Sequence, residues 1–281
     1  MEVIRHTKRS RYVLSISAAM VFSILSAGFT PHRAGAADDS MPSLSNHSRP
    51  LPALTKTAPT STGETQPVHR VKRADFKLER PAHEARHVAD WVVDSGDNHK
   101  MSFVIIDKTN ARVFVFNANG QLRGAAPALL GLARGDDAVP GIGSRKLSSI
   151  RPEERTTPAG RFVAALGRNM QGVVILWVDY DTAISLHRVL TSNRKEHRLQ
   201  RLATLTLLDK RISYGCINVP AKFFDKVVRP AFTRTSGIVY VLPETKSARE
   251  VFGSYDVDEH SLLLGTNKPV PAQLPYGIAR P

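Results

Sequence analysis

The chain has 281 residues, 42% of them hydrophobic, one cysteine and a formal net charge of +14. That length holds one sizeable domain with extensions or two small ones, and the apolar content suffices for a packed core. One cysteine excludes an internal disulfide framework, so the thiol is either a small buried hydrophobe or a group kept for chemistry.

Arg5, Lys8, Arg9 and Arg11 precede an uncharged run from Tyr12 to Phe29, and Ala34-Gly35-Ala36 supplies small residues at A-x-A spacing. This predicts a secretory signal over 1–36. The alternative is an uncleaved anchor, because the apolar run lies near the lower limit for spanning a bilayer. Loss of 1–36 would remove Arg5, Lys8, Arg9, Arg11, Arg33 and Glu2 and leave a charge of about +10. The expected location is the periplasm or cell wall. There a basic surface meets an anionic wall or membrane rather than nucleic acid, or has no partner at all. Oligomeric state is not legible. Residues 37–83 are rich in Pro, Ser and Thr without apolar periodicity, which predicts a disordered linker.

A folded domain is expected over 84–245. Val88, Trp91 and Val92 share a helical face, and Gly96 and Asn98 end that helix. Strands are predicted at 102–107 and 112–117, the second alternating Val113 and Val115 with Phe114 and Phe116, followed by an Asn119-Gly120 turn. Further strands are expected at 161–166, 173–180, 183–187 and 238–242. The long Gly/Pro-rich loop between Gly131 and Gly160 is of the kind usually kept for function. Two helices are predicted, one within 194–204 and one opened by Pro220 with Phe223, Phe224, Val227 and Val228 on one face. Residues 246–281 form a weakly patterned tail.

The chemistry concentrates in Arg211-Ile212-Ser213-Tyr214-Gly215-Cys216-Ile217-Asn218-Val219-Pro220. A thiol just ahead of a helix N-terminus would be held toward thiolate by the dipole. Gly215 would admit close substrate approach, and the backbone N–H groups of Gly215 and Cys216 could hold an oxyanion.

Ser213-Tyr214-Gly215-Cys216-Ile217-Asn218 resembles the nucleophile signature of the L,D-transpeptidases. Ile184-Ser185-Leu186-His187 resembles that family's strand-ending histidine, and Thr157-Pro158-Ala159-Gly160-Arg161-Phe162 its turn into a Phe-containing strand. The resemblance covers about residues 100–243. It implies a β-sandwich with short helices and peptidoglycan stem peptides as substrates. Cys216 would be the acyl-accepting nucleophile and His187 its base. Tyr214 and Gly215 would give oxyanion N–H groups, with Ser213 and Asn218 holding the substrate region. No metal or cofactor is implied. The outcome would be cross-linking through a Cys thioester, L,D-carboxypeptidase-type hydrolysis, or binding to the wall without catalysis.

Two departures stand out. Tyr214 occupies the position where the family has a second histidine, and 28 residues separate His187 from Cys216, predicting a helical lid over the site from 188–209. His197 is the rival base. His83-Glu84-Ala85-Arg86-His87 has the H-E-x-x-H pattern of a zinc hydrolase, in a poor context for one. Arg145, Arg151 and Arg155 are candidate carboxylate binders or a solvated surface. Trp177 and Tyr180 are expected to pack against the strands rather than to form a ligand platform.

Overall fold

The structure is a computed structural model that describes residues 71–266. The expected signal segment, most of the linker and the tail beyond 266 lie outside the described residues. The strands are β1 Phe103–Asp107, β2 Arg112–Phe116, β3 Leu122–Pro127, β4 Leu130–Gly131, β5 Gly160–Arg168, β6 Val174–Asp179, β7 Ile184–Arg188, β8 Arg211–Ser213, β9 Ile217–Val219 and β10 Ser236–Val241. Eight of them form one mixed sheet in the order β3-β2-β1-β10-β5-β6-β7-β9, and β4 pairs with β8 apart from it. The helices are α1 His83–Ser95, α2 Arg198–Ala203, α3 Ala221–Phe223, α4 Arg229–Ala231, α5 Ala248–Phe252 and α6 Val257–Thr266, with a π-helical turn at Phe224–Val228. The fold is therefore mainly β, a large sheet with a few short helices, as the sequence predicts.

Alternation along the strands divides the core in two. Val104 and Ile106 of β1, Val113 and Val115 of β2, and Val239 and Val241 of β10 face one cluster. Phe103, Ile105, Phe114, Phe116, Ile238 and Tyr240 face the other. Strands buried on both faces lose the apolar–polar alternation and read as continuous apolar runs, as β1 and β2 do. The first face is covered by Phe224, Val228 and Phe232 and continues under β5, β6, β7 and β9 through Ala164, Leu176, Leu186, Ile217 and Val219. The second is covered by Ala85, Val88, Ala89, Trp91 and Val92 of α1. Gly96, left-handed at φ +72°, closes α1 by donating its N–H to the Val92 carbonyl.

The α1 layer stops short of β5–β7. There the second face carries Val163, Trp177, Ser185 and His187. Val163 is 61% exposed, and Trp177 and His187 are half-buried. This open half of an otherwise covered sheet face is where the site lies.

Several expectations need correction. Packed structure begins well before Glu84. Asp75 bridges Gln121, and Phe76 sits edge-on between Phe114 and Phe116 at ring separations of 5.4 and 5.0 Å. Burying one such phenylalanine contributes about 1.5–3 kcal/mol, so residues 74–76 belong to the domain. The tail expected from 246 contains α5, capped by Ser247 and Glu250 in a reciprocal box, and places Ala248 in the second core cluster. The helix predicted to open at Pro220 is present from Ala221, but the residues between it and Cys216, Ile217–Val219, form strand β9. The dipole argument for the thiol therefore fails. The helix predicted within 194–204 is present as α2, preceded by a 3-10 turn at Arg194–Glu196.

Candidate active site

β7 and β9 run parallel, with Leu186 opposite Ile217 and His187 opposite Asn218. Leu186, Ile217 and Val219 point into the first core cluster. Alternation then places Ser185, His187, Cys216 and Asn218 together on the opposite face. Ser185 Oγ lies 3.5 Å from Cys216 Sγ, and the thiol also approaches the Ala183 carbonyl at 3.7 Å. Cys216 is half-buried, so sulfur remains reachable.

Burial pushes the Cys216 thiol up, but the hydrogen bond and charge of His187 and the hydroxyl and backbone N–H of Ser185 together outweigh it and bring it below its ordinary value. His187 Nδ1 lies 2.7 Å from the Arg188 carbonyl oxygen. A carbonyl only accepts, so Nδ1 carries the proton and Nε2 is the nitrogen left to take one. This is the tautomer a base toward Cys216 requires.

The Cys216 turn is buckled from behind. Ser213 Oγ donates to the Cys216 carbonyl at 2.6 Å and accepts the Gly215 N–H at 3.1 Å. Asn218, fully buried, donates Nδ2 to the same carbonyl at 3.2 Å, exchanges both backbone hydrogen bonds with Leu129, and receives Arg198 at 2.7 Å. Ser213 and Asn218 thus support the turn. The Gly215 N–H expected to face an oxyanion is engaged by Ser213. Gly215 has φ +128°, and a Cβ there would sit 2.6 Å from the Thr156 carbonyl and from Ile184 Cδ1, so only glycine fits.

Thr157, from the Thr-Pro-x-Gly turn, ties this region to the long loop. Its hydroxyl donates to the Gly215 carbonyl at 2.8 Å and accepts the Gly131 N–H at 2.9 Å. Behind it lies a buried ion cluster that the sequence reading missed. Lys108 Nζ, with its side chain fully buried, bonds the Gly135 carbonyl at 2.6 Å, Asp136 at 2.8 Å and the Thr157 carbonyl at 2.9 Å. Asp136 also receives the N–H groups of Glu244, Thr245 and Lys246. Arg211 pairs with Glu244 at 2.5 Å. Burial lowers Lys108 against the opposing pull of Asp136. Burial raises Asp136, but Lys108, Thr245 and the backbone donors outweigh it and hold its carboxyl well below the usual range. No local pattern announces this cluster, because its members are about 100 residues apart in places.

A cavity of about 80 Å³ adjoins the thiol, lined by Cys216, Tyr214, Ala183, Ile142, Leu147 and Ile150 among others. The wall over the sulfur is therefore the 138–150 part of the long loop. The expected lid at 188–209 lies elsewhere. Arg194, His197 and Arg198 line a separate pocket on the Asn218 side. His197 is exposed, at φ +49°, and away from the thiol cavity. The loop arginines are used internally: Arg145 pairs with Glu154 at 2.9 Å, Arg151 with Glu153 at 3.3 Å, and Arg155 stacks on Tyr214 at 4.0 Å. Arg145, followed by the Arg151 N–H, draws Glu154 down to about 2. His83 and His87 stack at 6.2 Å, and His87 Nε2 contacts Ser254 Oγ at 3.1 Å.

Trp177 and Tyr180 pack against strand β5 at Gly167, as expected of strand packing, and lie outside both core clusters. Their rings stack at 4.9 Å on the open sheet face, and Tyr180 is 65% exposed.

No family model matches this sequence, and no curated protein does. Among solved structures, similar folds include the helical cell-shape-determining protein Pgp2 of Campylobacter jejuni, at 16% identity and TM-score 0.37, with 66% of this chain and 62% of that one covered. Another is an L,D-transpeptidase of Xylanimonas cellulosilytica, at 12% identity and TM-score 0.30, covering 50% of this chain and 60% of that one. A third is the L,D-transpeptidase of Enterococcus faecium, at 15% identity and TM-score 0.27, covering 50% of each. The chain spans about six-tenths or less of the length of these structures. Likeness at this level does not extend to function.

Proposed function

We propose that this chain is a cysteine-dependent acyltransferase acting on peptidoglycan stem peptides, by L,D-transpeptidation, in the periplasm or cell wall. The observation that carries the reading is the half-buried Cys216 thiol, lowered by His187 and Ser185, beside an imidazole whose Nδ1 is already committed to a carbonyl.

In this reading Cys216 sulfur attacks the carbonyl of the third residue of a stem tetrapeptide as His187 Nε2 takes the thiol proton. A C–S bond forms and a tetrahedral oxyanion develops. The backbone N–H groups of Tyr214 and Cys216 are the proposed donors, joined by that of Gly215 when it leaves Ser213 Oγ. Collapse breaks the C–N bond, and His187 returns the proton to the departing D-alanine. An amine then attacks the thioester to give a cross-link or an exchanged residue, and water in its place gives hydrolysis. Ser213 and Asn218 hold the Cys216 carbonyl and so act as positioning residues. No step calls for a metal or organic cofactor.

The test is incubation with a carbapenem followed by intact mass and peptide mapping, then muropeptide analysis with purified protein. A covalent adduct on Cys216 and shortened or cross-linked stems are expected. Unmodified Cys216 with unchanged muropeptides would leave a wall-binding module without catalysis.

A further inference from the structure

We infer that the stacked Trp177–Tyr180 pair is a sugar-binding shelf that takes an N-acetylated amino-sugar ring of the wall glycan beside the thiol. This rests on the reading of Cys216 as the acyl-accepting group.

The register carries the placement. Trp177 lies directly opposite Ser185 in the antiparallel β6–β7 pair, and Ser185 touches the Cys216 thiol at 3.5 Å. Trp177, Ser185 and Cys216 therefore form one row across the open sheet face. Two neighbour steps of about 5 Å each put the shelf on the order of 10 Å from sulfur. Three residues of extended chain span at most about 10 Å, so a sugar on the shelf leaves its stem peptide long enough to bring the third carbonyl to the thiol.

The shelf is built rather than incidental. A Cβ at Gly167 would sit 2.7 Å from the Trp177 indole, so the glycine makes the room that the ring occupies. Tyr180 stacks on the indole with 24° between the planes and keeps its outer face in water. A flat apolar ring face suits the C–H face of a pyranose. The surrounding chemistry suits its polar edge. A shallow hollow of about 300 Å³ beside Tyr180 is lined by Val163, Asp179 and Asp181 among others. Asp179 is held by the Asp181 N–H and the Thr182 hydroxyl, whereas Asp181 is exposed and can accept from sugar hydroxyl and acetamido N–H groups. Thr182 and Ala183 then lead straight into the thiol cavity.

The chain has two tryptophans, and Trp91 is buried, so fluorescence change reports mainly on Trp177. The probe is a β-1,4-linked N-acetylglucosamine tetramer. Saturable quenching is expected in the wild type and its loss in Tyr180→Ala, whose exposed side chain can be removed without unfolding. In turnover assays, the preference of Tyr180→Ala for disaccharide-bearing over sugar-free tetrapeptide should fall about tenfold, the scale of one lost aromatic contact. Quenching by a sugar-free stem peptide but not by the tetramer would overturn the proposal, as would an unchanged preference. Quenching by the tetramer in a chain that carbapenem never acylates supports the shelf and sinks the acyl-transfer reading alone.

Discussion

Replacing Thr157 with valine keeps the side-chain shape and removes one hydroxyl. That hydroxyl donates to the Gly215 carbonyl and accepts the Gly131 N–H, and Thr157 is 1% exposed. Water cannot replace it without opening the turn, so both backbone groups are left unsatisfied at about 1–3 kcal/mol each. The combined cost of about 2–6 kcal/mol is a substantial share of a domain stability of about 5–15 kcal/mol. The variant therefore folds, and the chain can recover part of the loss by moving Gly215. Since Gly215 precedes Cys216, the proposed nucleophile, a shift of about 1 Å there is expected to slow acylation by up to about 100-fold. Urea unfolding and the rate of carbapenem adduct formation measure the two effects, and Thr157→Ser, which keeps the hydroxyl, should restore both. A valine variant that is destabilised yet acylated at the wild-type rate would refute the link between Thr157 and the thiol. Unchanged stability would refute the hydrogen-bond accounting itself.

Other outcomes follow from the same geometry. Because His187 and Ser185 hold the Cys216 thiol below its ordinary value, acylation should reach its plateau below the usual thiol range of about 8.5 and fall as pH drops through the lowered value; His187→Ala should move that midpoint upward, and His197→Ala should leave it in place. Lys108→Met strands Asp136 without its buried cation and should cost about 3–5 kcal/mol in urea unfolding. Asp136, held below the usual carboxylate range, contributes stability that is present above about 3.9 and lost as pH falls toward its folded value, so Asp136→Asn should flatten the acid limb of a pH–stability curve. Gly215→Ala should destabilise more than Gly172→Ala, since both have positive φ but only Gly215 is packed against Thr156 and Ile184; melting temperatures of the two variants settle this.

The sheet was largely legible. β1 and β2 announce themselves as apolar β-branched runs, and β5, β6, β7 and β10 fall within a few residues of their predicted bounds. β4, β8 and β9 were missed because two or three residues carry no period, and their pairing is set by contacts across the fold. The helix predicted to open at Pro220 is there, but the strand between it and Cys216 was not legible. Ile217, Asn218 and Val219 are held as a strand by β7 and Leu129, and Pro220 marks where that strand ends. Cys216, His187, Ser213, Tyr214, Gly215 and Asn218 were all singled out in sequence, and the fold brings them together. Their division of labour was not readable. Ser213 and Asn218 face the back of the turn, as only hydrogen-bond partners can reveal. Lys108, Asp136 and Glu244 gave no signal, because a lysine after a strand usually lies in water.

The arrangement explains how one thiol can be both reachable and preorganised. A parallel pair such as β7–β9 normally lies under cover on both faces. Here the first face is packed with Leu186, Ile217 and Val219, which fixes the register rigidly, while the second is released from the α1 layer. Register then does the positioning. A slip of one residue would send Cys216 and His187 into the apolar cluster and bring Leu186 and Ile217 to the surface, which burial of those two forbids. The same constraint fixes Trp177 in line with Ser185. Cys216, Ser185 and Trp177 therefore depend on one row of one sheet face, and the buried Lys108 cluster holds the loop that walls it. The 138–150 wall beside the thiol cavity is built of short 3-10 turns, Ile142–Ser144 and Leu147–Ser149, rather than of sheet strands.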